Sequence, residues 1–192
     1  MFNLLPIGEN PIKEKKLTYE EILKRRVLPT DNIPKPDPVL YFGENMVMSR
    51  KNISCITGKA KVGKTFLMTL LNISVLKKGK FGTLRSYLPK GKDKIIYIDT
   101  EQSDYHIHLI LNRIEKEVSS DKLMMFNFDA DSVEDRRQAT KELIYNTPEC
   151  GLLVIDGIAD LIYDPNDIRE SSLMASDLRK WATECDIHIV TV

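Results

Sequence analysis

Beyond about residue 39 the chain alternates short apolar runs with longer stretches in which apolar side chains recur at helical spacing. Continuous or alternating apolar runs mark strands, and a period near 3.6 marks a helix facing a core. That pattern predicts strands at Ile53–Thr57, Lys94–Asp99, Leu123–Phe128, Leu152–Ile155 and Ile187–Val192. It predicts helices at Lys64–Lys78, Asp104–Val118, from a Ser132 cap to about Asn146, and Ser171–Glu184. Such alternation produces an α/β fold, a mainly parallel sheet with helices on both faces. Val39–Phe42 and Met46–Met48 are predicted to pair as a small hairpin around Gly43. Gly79–Lys94, polar and rich in Gly and Lys with Pro89-Lys90-Gly91 as a turn signal, is predicted to be a mobile surface loop.

Residues 1–38 break this pattern and are read as an N-terminal leader and connector, leaving 39–192 as the core domain. Thr18-Tyr19-Glu20-Glu21 is a capping box that opens a short helix ending near Arg26. Pro29, Pro34, Pro36 and Pro38 then exclude a helix or a central strand, so the connector is expected to be extended.

At 192 residues and 42% hydrophobic content the chain can bury the core of one domain. Lys plus Arg and Asp plus Glu each total 28, so overall charge supplies no basic footprint for nucleic acid. Cys55, Cys150 and Cys185 are far apart and without C-x-x-C spacing, which points to reduced core residues of a cytoplasmic protein. His106 and His108, two apart on a predicted helix, point away from each other, and no zinc site is expected. No apolar run approaches the roughly 20 residues that cross a bilayer, and no membrane partner is expected.

Chemistry enters between the first core strand and the first core helix. Gly58-Lys59-Ala60-Lys61-Val62-Gly63-Lys64-Thr65 fills every fixed position of the pattern G-x-x-x-x-G-K-S/T. A triphosphate needs several donors at once, and backbone N–H groups supply them without crowding it. Gly58 and Gly63 let the loop curl, and the N-terminus of the helix adds its partial positive charge. Lys64 is placed to reach the β- and γ-phosphates of ATP, and the Thr65 hydroxyl to ligate Mg²⁺. Phe66, the next residue, completes the nucleotide-binding stretch. The competing reading is a glycine-rich turn in which Lys59 and Lys61 are ordinary solvated charges.

Two carboxylates at predicted strand ends complete the set, because an open parallel sheet binds ligands at the carboxyl ends of its strands. Asp156 ends the apolar run Leu152-Leu153-Val154-Ile155, where it can hold Mg²⁺ directly or through water. Its alternative role is to start the turn at Gly157. Glu101 follows Ile95–Thr100 and is the candidate catalytic base, able to orient and deprotonate the attacking water. The alternatives are a plain first-turn helical glutamate, with Asp99 as the base in its place.

Four segments together resemble the RecA-like P-loop ATPases, especially plasmid RepA-type and DnaB-type hexameric replicative helicases. They are Gly58–Thr65; Ile98-Asp99-Thr100-Glu101-Gln102-Ser103; Leu152-Leu153-Val154-Ile155-Asp156-Gly157; and Ile168-Arg169-Glu170 through Leu178-Arg179-Lys180-Trp181-Ala182 into Ile187–Val192. The resemblance implies a glutamate base one strand beyond the phosphate loop, which matches Glu101. In other P-loop branches the base directly follows the metal-site Asp, a position that here is Gly157. It also implies a ring or filament of identical subunits in the full-length protein, with single-stranded DNA as a partner. Family chains continue past the strand matched by Ile187–Val192 into a γ-phosphate sensor, DNA-contacting loops and a basic finger, so this chain is expected to be a C-terminally truncated member. Arg85 and Arg169 are the arginines nearest in kind to a finger, although neither aligns with that position. Rivals to the motor reading are a nucleotide switch of the recombinase or clock-protein kind and a scaffold without turnover.

Overall fold

The computed structural model describes residues 17–192, and the first 16 residues of the expected leader lie outside the described residues. The described chain forms two units, one ending at Lys35 and the other running Pro36–Val192. In the first, Thr18 caps the short helix α1 (Tyr19–Leu23) with both halves of the capping box in place. The helix stops earlier than the expected Arg26.

In the second unit the chain order is β1 (Pro38–Phe42), β2 (Asn45–Ser49), β3 (Asn52–Cys55), α2 (Lys64–Lys77), β4 (Gly79–Phe81), β5 (Leu84–Ser86) and β6 (Lys94–Asp99). There follow α3 (Asp104–Glu115), β7 (Leu123–Asn127), α4 (Val133–Tyr145), β8 (Cys150–Asp156), a 3-10 turn (Ile158–Leu161), α5 (Ile168–Glu184) and β9 (His188–Thr191). Five strands form a wholly parallel sheet in the order β3-β9-β8-β6-β7, and β2-β1-β5-β4 form a smaller antiparallel one.

The apolar runs are continuous because both faces of the parallel sheet are covered. In β6, Ile95 and Tyr97 join a cluster with Met68 and Leu71 of α2 and Ile110 and Ile114 of α3, while Ile96 and Ile98 join another with Ile144 of α4 and Leu178 and Trp181 of α5. Leu152 and Val154 of β8 divide from Leu153 and Ile155 in the same way. Each fully buried aliphatic side chain contributes about 1.5–3 kcal/mol relative to exposure. Helix α2 packs on β4 and β5 as well as on α3, and almost every residue from Met68 to Val75 is buried, which removes the amphipathic stripe of an ordinary surface helix. Asn72 and Ser74 are buried there with side-chain polar atoms that lack hydrogen-bond partners.

Several expectations are corrected. Residues 79–94 are not a loop throughout: β4 and β5 turn at Gly82 (φ +60) and pair with each other, and β5 pairs with β1, so the expected hairpin is half of a four-stranded sheet. Strands of three residues are too short to show an apolar period. The strand entering the phosphate loop is half-exposed rather than buried, because β3 is the edge of its sheet. Cys55 is exposed there and Cys185 half-buried, so only Cys150 among the cysteines is a core residue. Burial pushes its thiol up to about 12. Helix α5 starts before the expected Ser171 because Asp167 caps it, accepting from the amides of Arg169 and Glu170. Among the described residues no helix is long and apolar enough to cross a membrane.

Candidate active site

The loop between β3 and α2 is shaped by two left-handed residues, Lys61 (φ +63) and Gly63 (φ +91), the second being the N-cap of α2. Among the described residues none accepts a hydrogen bond from the amides of residues 59–62, and that stretch is exposed. Consecutive unpaired N–H groups leading into a helix N-terminus form an anion-binding concavity. The Lys64 ammonium bridges the mouth of the loop, donating to the Gly58 carbonyl at 3.2 Å. A Cβ on Gly58 would stand 3.0 Å from Cγ2 of Val62, so the loop is already close-packed at its start. Phe66 is 54% exposed, with the Arg113 guanidinium 5.9 Å from its ring centre.

Asp99 and Asp156 are register partners on the neighbouring parallel strands β6 and β8, both at the carboxyl ends. Oδ2 of Asp156 accepts from the Tyr97 hydroxyl at 2.7 Å and from Thr65 Oγ1 at 3.3 Å. The fold therefore brings Thr65 and Asp156 together from positions far apart in the chain. Desolvation first, then the Asp156 charge, pushes the Tyr97 phenol far above its ordinary range and keeps it a donor.

Glu101 lies just past β6, and no described residue donates to its carboxylate. Its proton affinity is raised by desolvation first and then by Asp156, Asp160 and Asp99, with Lys64 opposing. Asp99 is different. It is fully buried, and its carboxylate accepts from Glu101 N at 3.0 Å, Gln102 N at 2.8 Å and Gln102 Nε2 at 2.8 Å. It anchors the backbone beneath Glu101.

Spacing alone does not reveal four further residues. Thr100, 4% exposed, donates through its amide to the Asp156 carbonyl at 3.1 Å and sets Oγ1 2.8 Å from Asp160 Oδ2. Arg136, on α4, donates to the carbonyls of Phe128 at 2.7 Å, Asp129 at 2.7 Å and Asp160 at 3.1 Å, tying together the loops after β7 and β8. Tyr97 is the fourth. Tyr97, Thr100 and Asp160 meet partners distant in sequence, and Arg136 reaches the distant Asp160 carbonyl as well as the nearby Phe128 and Asp129, so no local period encodes them.

Several cations outside the phosphate loop are engaged within the chain. Arg85 donates to the Gly43 carbonyl at 2.9 Å and pairs with Glu44 at 3.3 Å. Lys77 pairs with Glu117 and Lys78 with Asp93, while Lys92 donates to the Cys185 carbonyl. Arg169 is exposed beside Asp167 and Glu170.

The family profile described as AAA domain matches residues 20–192. The chain belongs to the AAA domain family. Its α/β fold has a parallel sheet flanked by helices, with the phosphate loop and both strand-end carboxylates at the carboxyl end of the strands. Among solved structures it is similar to the flagellar accessory protein FlaH from Methanocaldococcus jannaschii, at 16% identity and a TM-score of 0.49, covering 74% of this chain. The match spans 61% of FlaH's own length. No curated protein matches the chain.

Proposed function

We propose that this AAA domain binds Mg²⁺-ATP through residues 58–66 and hydrolyses it, with Glu101 as the base. The observation that carries the reading is the meeting of Thr65 Oγ1 and Asp156 Oδ2 at 3.3 Å, directly beside an exposed loop of unpaired amides. An all-oxygen pair of one hydroxyl and one carboxylate suits Mg²⁺, which keeps most of its waters and takes few protein ligands. When bound, the ion neutralises charge on the phosphate oxygens. Thr65 and Asp156 are the residues that would hold it.

The amides of residues 59–63 and the Lys64 ammonium cradle the phosphates, Lys64 exchanging its contact with the Gly58 carbonyl for one with phosphate oxygen. Glu101, with no competing hydrogen bond, orients a water in line with the γ-phosphorus and takes its proton. The new O–P bond forms as the bond to the bridging oxygen of ADP breaks, releasing ADP and phosphate. Asp99 cannot take this role without giving up the donors that fold the strand end.

The motor reading, a helicase or related engine for replication or mobilisation of an element, rests on the resemblance to RepA-type and DnaB-type proteins and includes a homo-oligomeric ring or filament and single-stranded DNA. A second reading, nucleotide-controlled assembly without DNA, is favoured by the loop after Asp156, where Asp160, Asp164, Asp167 and Glu170 outnumber Arg169. Calorimetry on Lys64→Ala tests the binding assignment, which unchanged ATP affinity overturns. Single-turnover hydrolysis by Glu101→Gln tests the base, which surviving cleavage overturns. Stimulation of hydrolysis by single-stranded DNA favours the motor, and nucleotide-dependent assembly without stimulation favours the switch.

A further inference from the structure

Glu101 is held by its backbone alone. Its side chain accepts no hydrogen bond from the described residues, so its aim depends on how firmly the end of β6 is fixed. From one side Asp99 fixes the amides of Glu101 and Gln102. From the other, the only side-chain anchor among the described residues is the Thr100 hydroxyl, whose shortest contact is Asp160 Oδ2 at 2.8 Å, against 3.1 Å to the Gly157 carbonyl and 3.3 Å to that of Asp156. Asp160 sits in the 3-10 turn after β8, and its carbonyl is tied by Arg136 to the end of β7. The approach is close enough that a Cβ on Gly157 would lie 2.0 Å from Thr100 Oγ1 and 3.1 Å from Asp160 Oδ2.

We propose that Asp160 is a positioning residue for Glu101, acting through the Thr100 hydroxyl to lock the end of β6 from the side opposite Asp99. The inference rests on the assignment of Glu101 as the base. A general base gains only when its proton acceptor stands within hydrogen-bond reach of the water, so a backbone clamped on both sides supplies what a free side chain lacks.

The test uses the 192-residue chain with Asp160→Ala, Asp160→Asn, Thr100→Val and Thr100→Ser, read by single-turnover ATP hydrolysis, ATP calorimetry and amide hydrogen exchange. Asp160→Ala and Thr100→Val should each slow hydrolysis about 10-fold or more with ATP affinity within about 3-fold, since a misplacement near 1 Å costs up to about 10²-fold in rate. The double variant should be no slower than either single one, because both remove the same contact. Asp160→Asn and Thr100→Ser, which keep the acceptor and the hydroxyl, should recover most of the lost rate. Independently of turnover, the amides of Glu101 and Gln102 should exchange about 10-fold faster in the two disruptive variants and regain protection in the conservative ones. Unchanged exchange in Asp160→Ala, additive effects of the two changes, or loss of ATP affinity matching the loss of rate would each overturn the proposal. If Glu101→Gln itself leaves cleavage intact, the parent assignment fails, while the exchange measurement still reads the anchor.

Discussion

The buried phenol of Tyr97 donates to Oδ2 of Asp156 at 2.7 Å, from one parallel strand to the next, and this oxygen is the one that Thr65 Oγ1 approaches. The bond fixes the Asp156 rotamer beneath the phosphate loop. Tyr97→Phe should destabilise the fold by about 1.5–3 kcal/mol, the usual range for a hydrogen bond to a charged group. It should also raise the Mg²⁺ concentration needed for half-maximal ATP binding about 10-fold, as losing a partner of a metal ligand commonly does. Urea unfolding and an Mg²⁺ titration at fixed ATP check the two effects separately, and an unshifted titration would remove Tyr97 from the site.

Gly157 has φ +111, and a Cβ there would lie 2.0 Å from Thr100 Oγ1. Backbone strain of about 1–3 kcal/mol adds to that overlap, so Gly157→Ala should lower stability by roughly 3 kcal/mol or more. Denaturant unfolding measures it. A near-neutral result would mean that the turn after Asp156 relaxes freely. The same geometry explains why no carboxylate base follows Asp156 directly here.

Asp93 is 7% exposed and accepts from Lys122 and from Lys78 at 2.6 Å, which in that order hold its carboxyl down at about 2 from an ordinary 3.8. A depressed carboxylate contributes stability that is fully present above its unfolded value and is lost as pH falls through the folded one. Asp93→Asn should therefore cost about 1 kcal/mol at neutral pH, a figure discounted because both lysines reach water. The difference from the parent should shrink between pH 4 and pH 2, the window set by these two values. Urea midpoints at several pH values decide, and a difference independent of pH would show that the ion pairs contribute nothing.

Cys55 is exposed at the end of β3, while the Cys150 thiol is buried and pushed up to about 12. A neutral-pH alkylating reagent should modify Cys55 within minutes and Cys150 only on unfolding, because the thiolate is the reactive form. Mass mapping of labelled peptides checks this. Rapid labelling of Cys150 in the folded protein would contradict the packing of β8.

Much of this molecule is local and was legible without coordinates. A phosphate loop is one contiguous run whose glycines, lysine and threonine act through their own backbone and helix terminus, so Gly58–Thr65 announces itself. Fully apolar runs ending in acid, Ile95–Asp99 and Leu152–Asp156, signal strands covered on both faces with a carboxylate at the tip. The order of those strands was not legible, since β9 enters between β3 and β8 only through pairing that no local period encodes. Nor was the smaller sheet, whose three-residue strands β4 and β5 gain stability from β1 and α2 rather than from propensity. The division of labour among the carboxylates was likewise decided by tertiary structure. Asp99, Glu101, Asp156 and Asp160 are chemically alike in the chain. Asp99 is saturated by its near neighbours Glu101 and Gln102, whereas Thr65 and Tyr97 reach Asp156 and Thr100 reaches Asp160 across the fold, and Glu101 keeps an open face.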